Sequence, residues 1–180
     1  DFSDAQWLAH LLRLGILPEG YIYPKATRGV RDLLRKRMQL VQQRPTHLLS
    51  IQTQSARNTG QTWKANRIKR LTCEEVKEEV VDEYLALAIT SNLTVMQCLE
   101  VQIRKLEQVV KGQVKLQPAF ELLRTVPGIG AILGLTIMLE TGDIGRFARV
   151  GDFASYCRCV GSERLSNGKR KGRGNTKNGN

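Results

Sequence analysis

The sequence predicts a mainly α-helical protein. Its centre would be a long antiparallel helical hairpin of the coiled-coil kind. A C-terminal helical domain would follow, with a helix-hairpin-helix and a short β-hairpin. Three observations predict this. Apolar residues recur at three- and four-residue steps through two long stretches. A Pro-Gly-Ile-Gly turn separates two further apolar runs. Asn167-Gly168 lies between two short polar segments, a strong signal for a type I′ hairpin turn. The expected divisions are 1–24, 25–117 and 118–180. With 41% hydrophobic residues the chain can build a core.

The first element is a short helix over 4–14. Trp7, Leu8, Leu11 and Leu12 share one face, Asp4 sits where a cap or first-turn acid belongs, and Gly15 ends it. A connector with two prolines leads to a long helical pattern from Thr27 to Gly60. Val30, Leu33, Leu34, Leu40, Val41, Leu48 and Ile51 mark its apolar face. Arg28, Arg31, Arg35, Lys36, Arg37 and Arg44 crowd the remainder, with Asp32 as the only acid among them. Pro45 is expected to kink or break this helix, because it lacks a donor and clashes with the preceding turn. A second long pattern runs from about Cys73 to Val110, carried by Val76, Val80, Tyr84, Leu87, Val95, Leu99, Ile103 and Leu106. Residues 113–117 read as a linker.

Charge points to the partner. There are 28 Lys and Arg against 17 Asp and Glu, a net +11. Such an excess suits a polyanion, most often nucleic acid. No uninterrupted apolar run looks long enough to span a bilayer, so a membrane partner is not expected. No signal peptide is expected from the opening "DFSDAQWLAH", which has neither a basic leader nor an apolar stretch. Cys73, Cys98, Cys157 and Cys159 form no C-x-x-C pair and no zinc pattern. Four reduced thiols in the cytoplasm are expected, with Cys73 and Cys98 buried.

Three constellations could carry chemistry. In "LLRTVPGIGAILGLTIMLE", Gly128 and Gly130 permit a tight turn before the next helix. Their N–H groups would face an anion at the positive end of the helix dipole. A phosphate contact there would be made by backbone and would not read sequence. The plain alternative is a helix turn with no ligand. Arg35 and Arg37 are the candidate contacts on the long basic helix, against a merely solvated face. Asp1 and Asp4 lie three apart at a helix start and could share a divalent ion, but taken alone the motif is weak and an ordinary cap is the favoured reading.

In "ERLSNGKRK", Ser166 would sit just before the hairpin turn. Lys169, Arg170, Lys171, Arg173 and, further on, Lys177 surround it with charge that could hold a phosphate. A serine needs a base or metal to become a nucleophile. None is local, and His10 and His47 lie far off. Local chemistry alone therefore leaves a solvated serine on a basic tail ahead.

The blocks "DFSDAQWLAHLLRLG", "YPKATRGVRDLLRKRMQLVQQR", "LRTVPGIGAILGLTIMLETGDIGRF" and "DFASYCRCVGSERLSNGKRKGRGNTKNGN" together resemble the DEDD-type insertion-sequence transposases that also carry a catalytic serine. These are relatives of the pilin-gene invertases, also described as bridge-RNA-guided recombinases. The resemblance implies that 1–24 is the end of a RuvC-like domain, with Asp1 and Asp4 as two of four acids that bind Mg²⁺. It implies that 25–117 is a coiled-coil linker serving homo-oligomerisation, and that 118–180 is a transposase domain with Ser166 as nucleophile. DNA and a structured guide RNA are the implied partners, in the bacterial or archaeal cytoplasm near the nucleoid. Pro45, and Gly161 where Pro is common, depart from the pattern. Two acids and the strands of the RuvC-like sheet are missing from this chain, so it is expected to be a truncated, inactive piece. A non-catalytic helix-hairpin-helix binding module is the alternative. A dimerising structural protein fits the density of Arg and Lys less well.

Overall fold

The computed structural model describes residues 2–17, 20–113, 118–160 and 165–170. The chain is mainly helical. In order it forms α1 (Phe2–Arg13), α2 (Lys25–Thr59), α3 (Ala65–Ile68), α4 (Cys73–Glu79), α5 (Glu83–Gln113), α6 (Pro118–Arg124), α7 (Ala131–Thr141), a 3₁₀ turn at Ile144–Arg146, α8 (Val150–Tyr156), and the two-residue strands β1 (Leu165–Ser166) and β2 (Lys169–Arg170).

Two long helices, α2 and α5, run side by side. Arg37 bonds Glu107, Arg44 bonds Glu100, and His47 Nδ1 lies 3.0 Å from Asn92 Oδ1. The partners descend on α5 as they ascend on α2, so the helices are antiparallel. Cores form at the two ends of this pair. The distal core gathers Ile51, Trp63, Ile68, Leu71, Val76, Val80, Ile89, Leu93 and Met96. The proximal core holds Leu34, Val110, Phe120 and Leu135.

Pro45 does not break α2, which continues to Thr59 with the proline inside it. A mid-helix proline costs about 3 kcal/mol. Burying an aliphatic side chain returns about 1.5–3 kcal/mol each, and Leu34 and Ile51 are both buried, one on each side of the proline. Packing at both ends therefore outweighs the local defect. The helix stops where expected: Gly60 takes a left-handed conformation and its N–H bonds Ala56 O at 3.1 Å.

The second long pattern is two helices, not one. The chain leaves helical geometry at Val80 and re-enters at Glu83. Asp82 explains the restart, because its Oδ1 accepts from the N–H groups of Tyr84 at 2.8 Å and Leu85 at 3.0 Å, as an N-cap does. Thr72 starts α4 with a reciprocal capping box to Glu75.

Three further expectations change. The first helix forms, but no residue of it is buried. Cys73 is half-buried and Cys98 exposed, so neither is the core thiol expected, and all four cysteines are free. The cause is register: both lie beside the seam occupied by Val76, Leu93 and Met96 rather than on it. Finally, over Glu83–Gly112 α5 is long and apolar enough, by length and composition, to cross a membrane. Ile89, Leu93, Met96, Ile103 and Val110 on that helix are buried, so one apolar stripe of it is spent on the protein's own packing. The linker expected at 113–117 lies outside the described residues after Gln113.

Candidate nucleic-acid interface

The Pro-Gly-Ile-Gly segment forms the turn between α6 and α7. Thr125 and Val126 wind tightly out of α6, and the Ile129 N–H closes the turn on Val126 O at 3.0 Å. Gly128 has φ +90°, a region a side chain rarely adopts. Gly130 is the N-cap of α7, with extended backbone and no side-chain cap. No hydrogen bond within the described residues takes up the N–H of Gly128 or Gly130. Nothing lies within 4 Å of where a Cβ would stand on either glycine, so the turn is open on that side. Behind it, Gly134 leaves room for the Phe120 ring and the Ile129 side chain, which would lie 3.3 and 3.5 Å from a Cβ there.

This helix start opens into a cavity of about 340 Å³. Gly130, Ala131, Ile132 and Leu133 form one wall, with Arg37 from α2 and Lys111 from α5 opposite. Two of the candidates named from sequence, Arg37 and Gly130, thus come together, and Lys111 joins them. Arg37 is bonded to Glu107 through Nε at 2.8 Å. Lys111 has no carboxylate partner among the described residues. Unbonded helix-start amides beside two cations are the elements of an anion site.

Arg35 serves a different end. Its Nη2 reaches Glu140 Oε2 at 2.8 Å, and Arg31 Nε reaches the same oxygen at 3.0 Å. Burial pushes the Glu140 carboxyl up, but the bonds and charges of Arg35 and Arg31 outweigh it and hold the group below the usual carboxylate range. The hydrogen bond to Glu140 raises the Arg35 guanidinium in turn. The carboxylates that pair with Arg31, Arg35, Arg37 and Arg44 therefore come from α5 and α7.

Glu140 also ends α7 in a cluster that ties down the connector before α2. Its carbonyl oxygen accepts from the Tyr23 hydroxyl, and from the Tyr156 hydroxyl at 2.8 Å. The two hydroxyls lie 2.7 Å apart. Burial, then the Tyr156 hydrogen bond, pushes the Tyr23 phenol up. The Arg31 guanidinium lies 3.8 Å from the centre of the Tyr23 ring. Arg146 is enclosed by Tyr21, Phe147 and Tyr156, with ring centres 4.2–4.6 Å away. Its Nη2 has no acceptor among the described residues, so the ring faces stand in for one. Gly142 completes the cluster with φ +66°, because a Cβ there would meet the Tyr21 hydroxyl at 2.8 Å. Sequence periodicity could not find these residues, since they meet across more than a hundred positions.

Leu165 pairs with Arg170 and Ser166 with Lys169, antiparallel. Asn167 and Gly168 between them have φ +51° and +69°, both positive as a type I′ turn requires. Lys169 is exposed. For Ser166 and Arg170 the backbone is described. Asp1, Lys171, Arg173 and Lys177 lie outside the described residues. Asp4 is exposed in the first turn of α1. Among the described residues no three His, Cys, Asp or Glu come together. His47 Nδ1 bonds Asn92, and His10 stacks on Trp7 with centres 5.8 Å apart.

No curated protein and no solved structure matches the chain. Residues 120–180, from the Phe120 of α6 onward, match the family model described as Transposase IS116/IS110/IS902 family. Over that span the chain is similar to insertion-sequence transposases, and the match supports a DNA-acting transposase or recombinase.

Proposed function

We propose that the chain is the helical and C-terminal part of an insertion-sequence recombinase that cuts and rejoins DNA through the hydroxyl of Ser166. The observation that carries this is the family match over 120–180. Ser166 falls inside it, next to a positive-φ turn and paired with Lys169. In this reading Ser166 Oγ attacks a DNA phosphorus. Oγ gives up its proton as an Oγ–P bond forms, the bond from phosphorus to one deoxyribose oxygen breaks, and that oxygen takes up a proton in exchange and leaves as a hydroxyl. Each phosphodiester is exchanged for another, so a second hydroxyl can reverse the step and join a new strand. Lys169 and Arg170, with Lys171, Arg173 and Lys177, would offset the charge that builds on the phosphate oxygens.

The open turn at Gly128 and Gly130, with Arg37 and Lys111, would hold the DNA backbone without reading its bases. Arg35, bonded to Glu140, serves the docking of α2 on α7. Magnesium enters this proposal only through the resemblance, with Asp1 and Asp4 as ligands, and no step is derived through it. A structured guide RNA, homo-oligomerisation through the helical linker and a place at the nucleoid belong to the same reading.

The test joins the chain to a RuvC-like domain that carries the upstream acids and offers a nicked DNA that traps a covalent intermediate. A serine-linked adduct is expected, absent in Ser166→Ala while DNA binding persists. An adduct that survives Ser166→Ala removes Ser166 as the nucleophile. DNA binding with no adduct in either protein favours the non-catalytic binding module.

A further inference from the structure

A second basic groove lies further along the helix pair. Arg44 of α2, Lys69 after α3, and Met96, Gln97, Glu100, Val101 and Arg104 of α5 line a space of about 490 Å³. Three cations from three elements face a single carboxylate. Glu100 is already shared, accepting from Arg104 Nε at 3.1 Å and from Arg44. Its two oxygens are thus occupied, while both guanidinium groups keep further N–H donors. Arg104 is 76% exposed, and Lys69 is exposed with no carboxylate partner among the described residues. The groove therefore carries a surplus of two positive charges over an apolar floor of Met96 and Val101.

Its position repeats that of the cavity at the start of α7. Arg37 and Arg44 are seven residues apart on α2, and Lys111 and Arg104 are seven apart on α5. Seven residues are two turns, so each pair shares a face. The acids repeat likewise, with Glu107 facing Arg37 and Glu100 facing Arg44. At 1.5 Å per residue the two cation pairs are about 10 Å apart along the stalk. One strand of a duplex places a phosphate about every 3.4 Å along its axis, so about three nucleotides span that distance.

From this repeat we infer that Arg44, Lys69 and Arg104 form a second phosphodiester-backbone site, one that continues the track of the nucleic acid held at Arg37, Lys111 and Gly130. The inference rests on the proposed function for its first contact and extends it along the stalk. The ligand is recognised by charge and spacing alone. Arginine forks suit paired phosphate oxygens, Lys69 adds a point charge, and the apolar floor accepts a sugar face.

The experiment measures fluorescence anisotropy of the full chain with a labelled 30-base-pair DNA and with a labelled RNA hairpin, across a salt series. The test variant is Lys69→Gln with Arg104→Gln, two exposed positions where Gln keeps most of the length. The control is Lys25→Gln with Lys77→Gln, which removes the same charge away from the groove. The groove variant should bind about tenfold more weakly, and its slope of log affinity against log salt should fall by about 2, one for each lost phosphate contact. Loss on the duplex assigns the groove to DNA, and loss on the hairpin assigns it to RNA. A groove variant with the parent's affinity and slope overturns the second site while leaving the first. A control that loses as much overturns it too, since net charge would then be the cause. A parent that shows no salt-dependent binding overturns both readings together.

Discussion

Replacing Glu140 by Gln tests the joint between α2 and α7. Arg31 and Glu140 are 13% and 17% exposed, and Arg35 is 50% exposed. Breaking a buried pair by removing one partner costs about 3–5 kcal/mol. The exposed Arg35 contact adds less than about 1 kcal/mol. Gln keeps a neutral acceptor, which recovers about 1 kcal/mol. The Tyr23 and Tyr156 hydroxyls bond the backbone oxygen of residue 140, so they are untouched. The expected loss at pH 7 is about 2–5 kcal/mol, or about 4–20 °C in Tm for a chain of this size.

The pH dependence sharpens this prediction. The Glu140 carboxyl is held below its unfolded value of about 4.3. Its ion pairs therefore add stability above about pH 4, and that stability drains away as pH falls through the lower folded value. Urea unfolding followed by circular dichroism should show a gap between parent and Glu140→Gln at pH 7 that narrows as pH falls below about 4, where the unfolded carboxyl takes up its proton before the folded one does. Equal midpoints at pH 7, or a gap as wide at pH 3, would refute the assignment of the joint to this carboxylate.

Two more substitutions probe the same end of the molecule. Gly142→Ala meets both a positive φ and the Tyr21 hydroxyl, and should cost about 2 kcal/mol or more in thermal stability; an unchanged Tm would mean the connector is not held there. Gly130→Val sits on extended backbone with open space around it, so it should cost no more than the about 1 kcal/mol of a poorer N-cap and weaken DNA binding several-fold in anisotropy. Undiminished affinity would return the turn to a purely structural role, whereas Gly128→Val would confuse the two effects because its φ of +90° disfavours valine.

The long helices could be read because Leu33, Leu34, Leu48 and Ile51 repeat at helical spacing. The break at 80–82 could not, because Val76, Val80, Tyr84 and Leu87 keep the same spacing through it, and only Asp82 hinted at a restart. The four-residue α3 is too short to have a period. Pro45 misled because local propensity was weighed without the cores at both ends of α2. At the site, Gly128 and Gly130 were visible from their own turn chemistry. Lys111, Lys69 and Arg104 were not, since each gains meaning only from cations on another helix. The fate of Arg35 was hidden for the same reason, as Glu140 lies 105 positions away.

The placement of the two cores also bears on how the chain assembles. Ile51 and Met96 of the distal core are 45 residues apart, whereas Leu34 and Leu135 of the proximal core are 101 apart. Closing the longer span costs about 0.7 kcal/mol more in chain entropy, and it must wait for α6 and α7 to be present. The tip of the hairpin is thus the natural nucleus. On this account the two long helices would be in register before α6 and α7 dock.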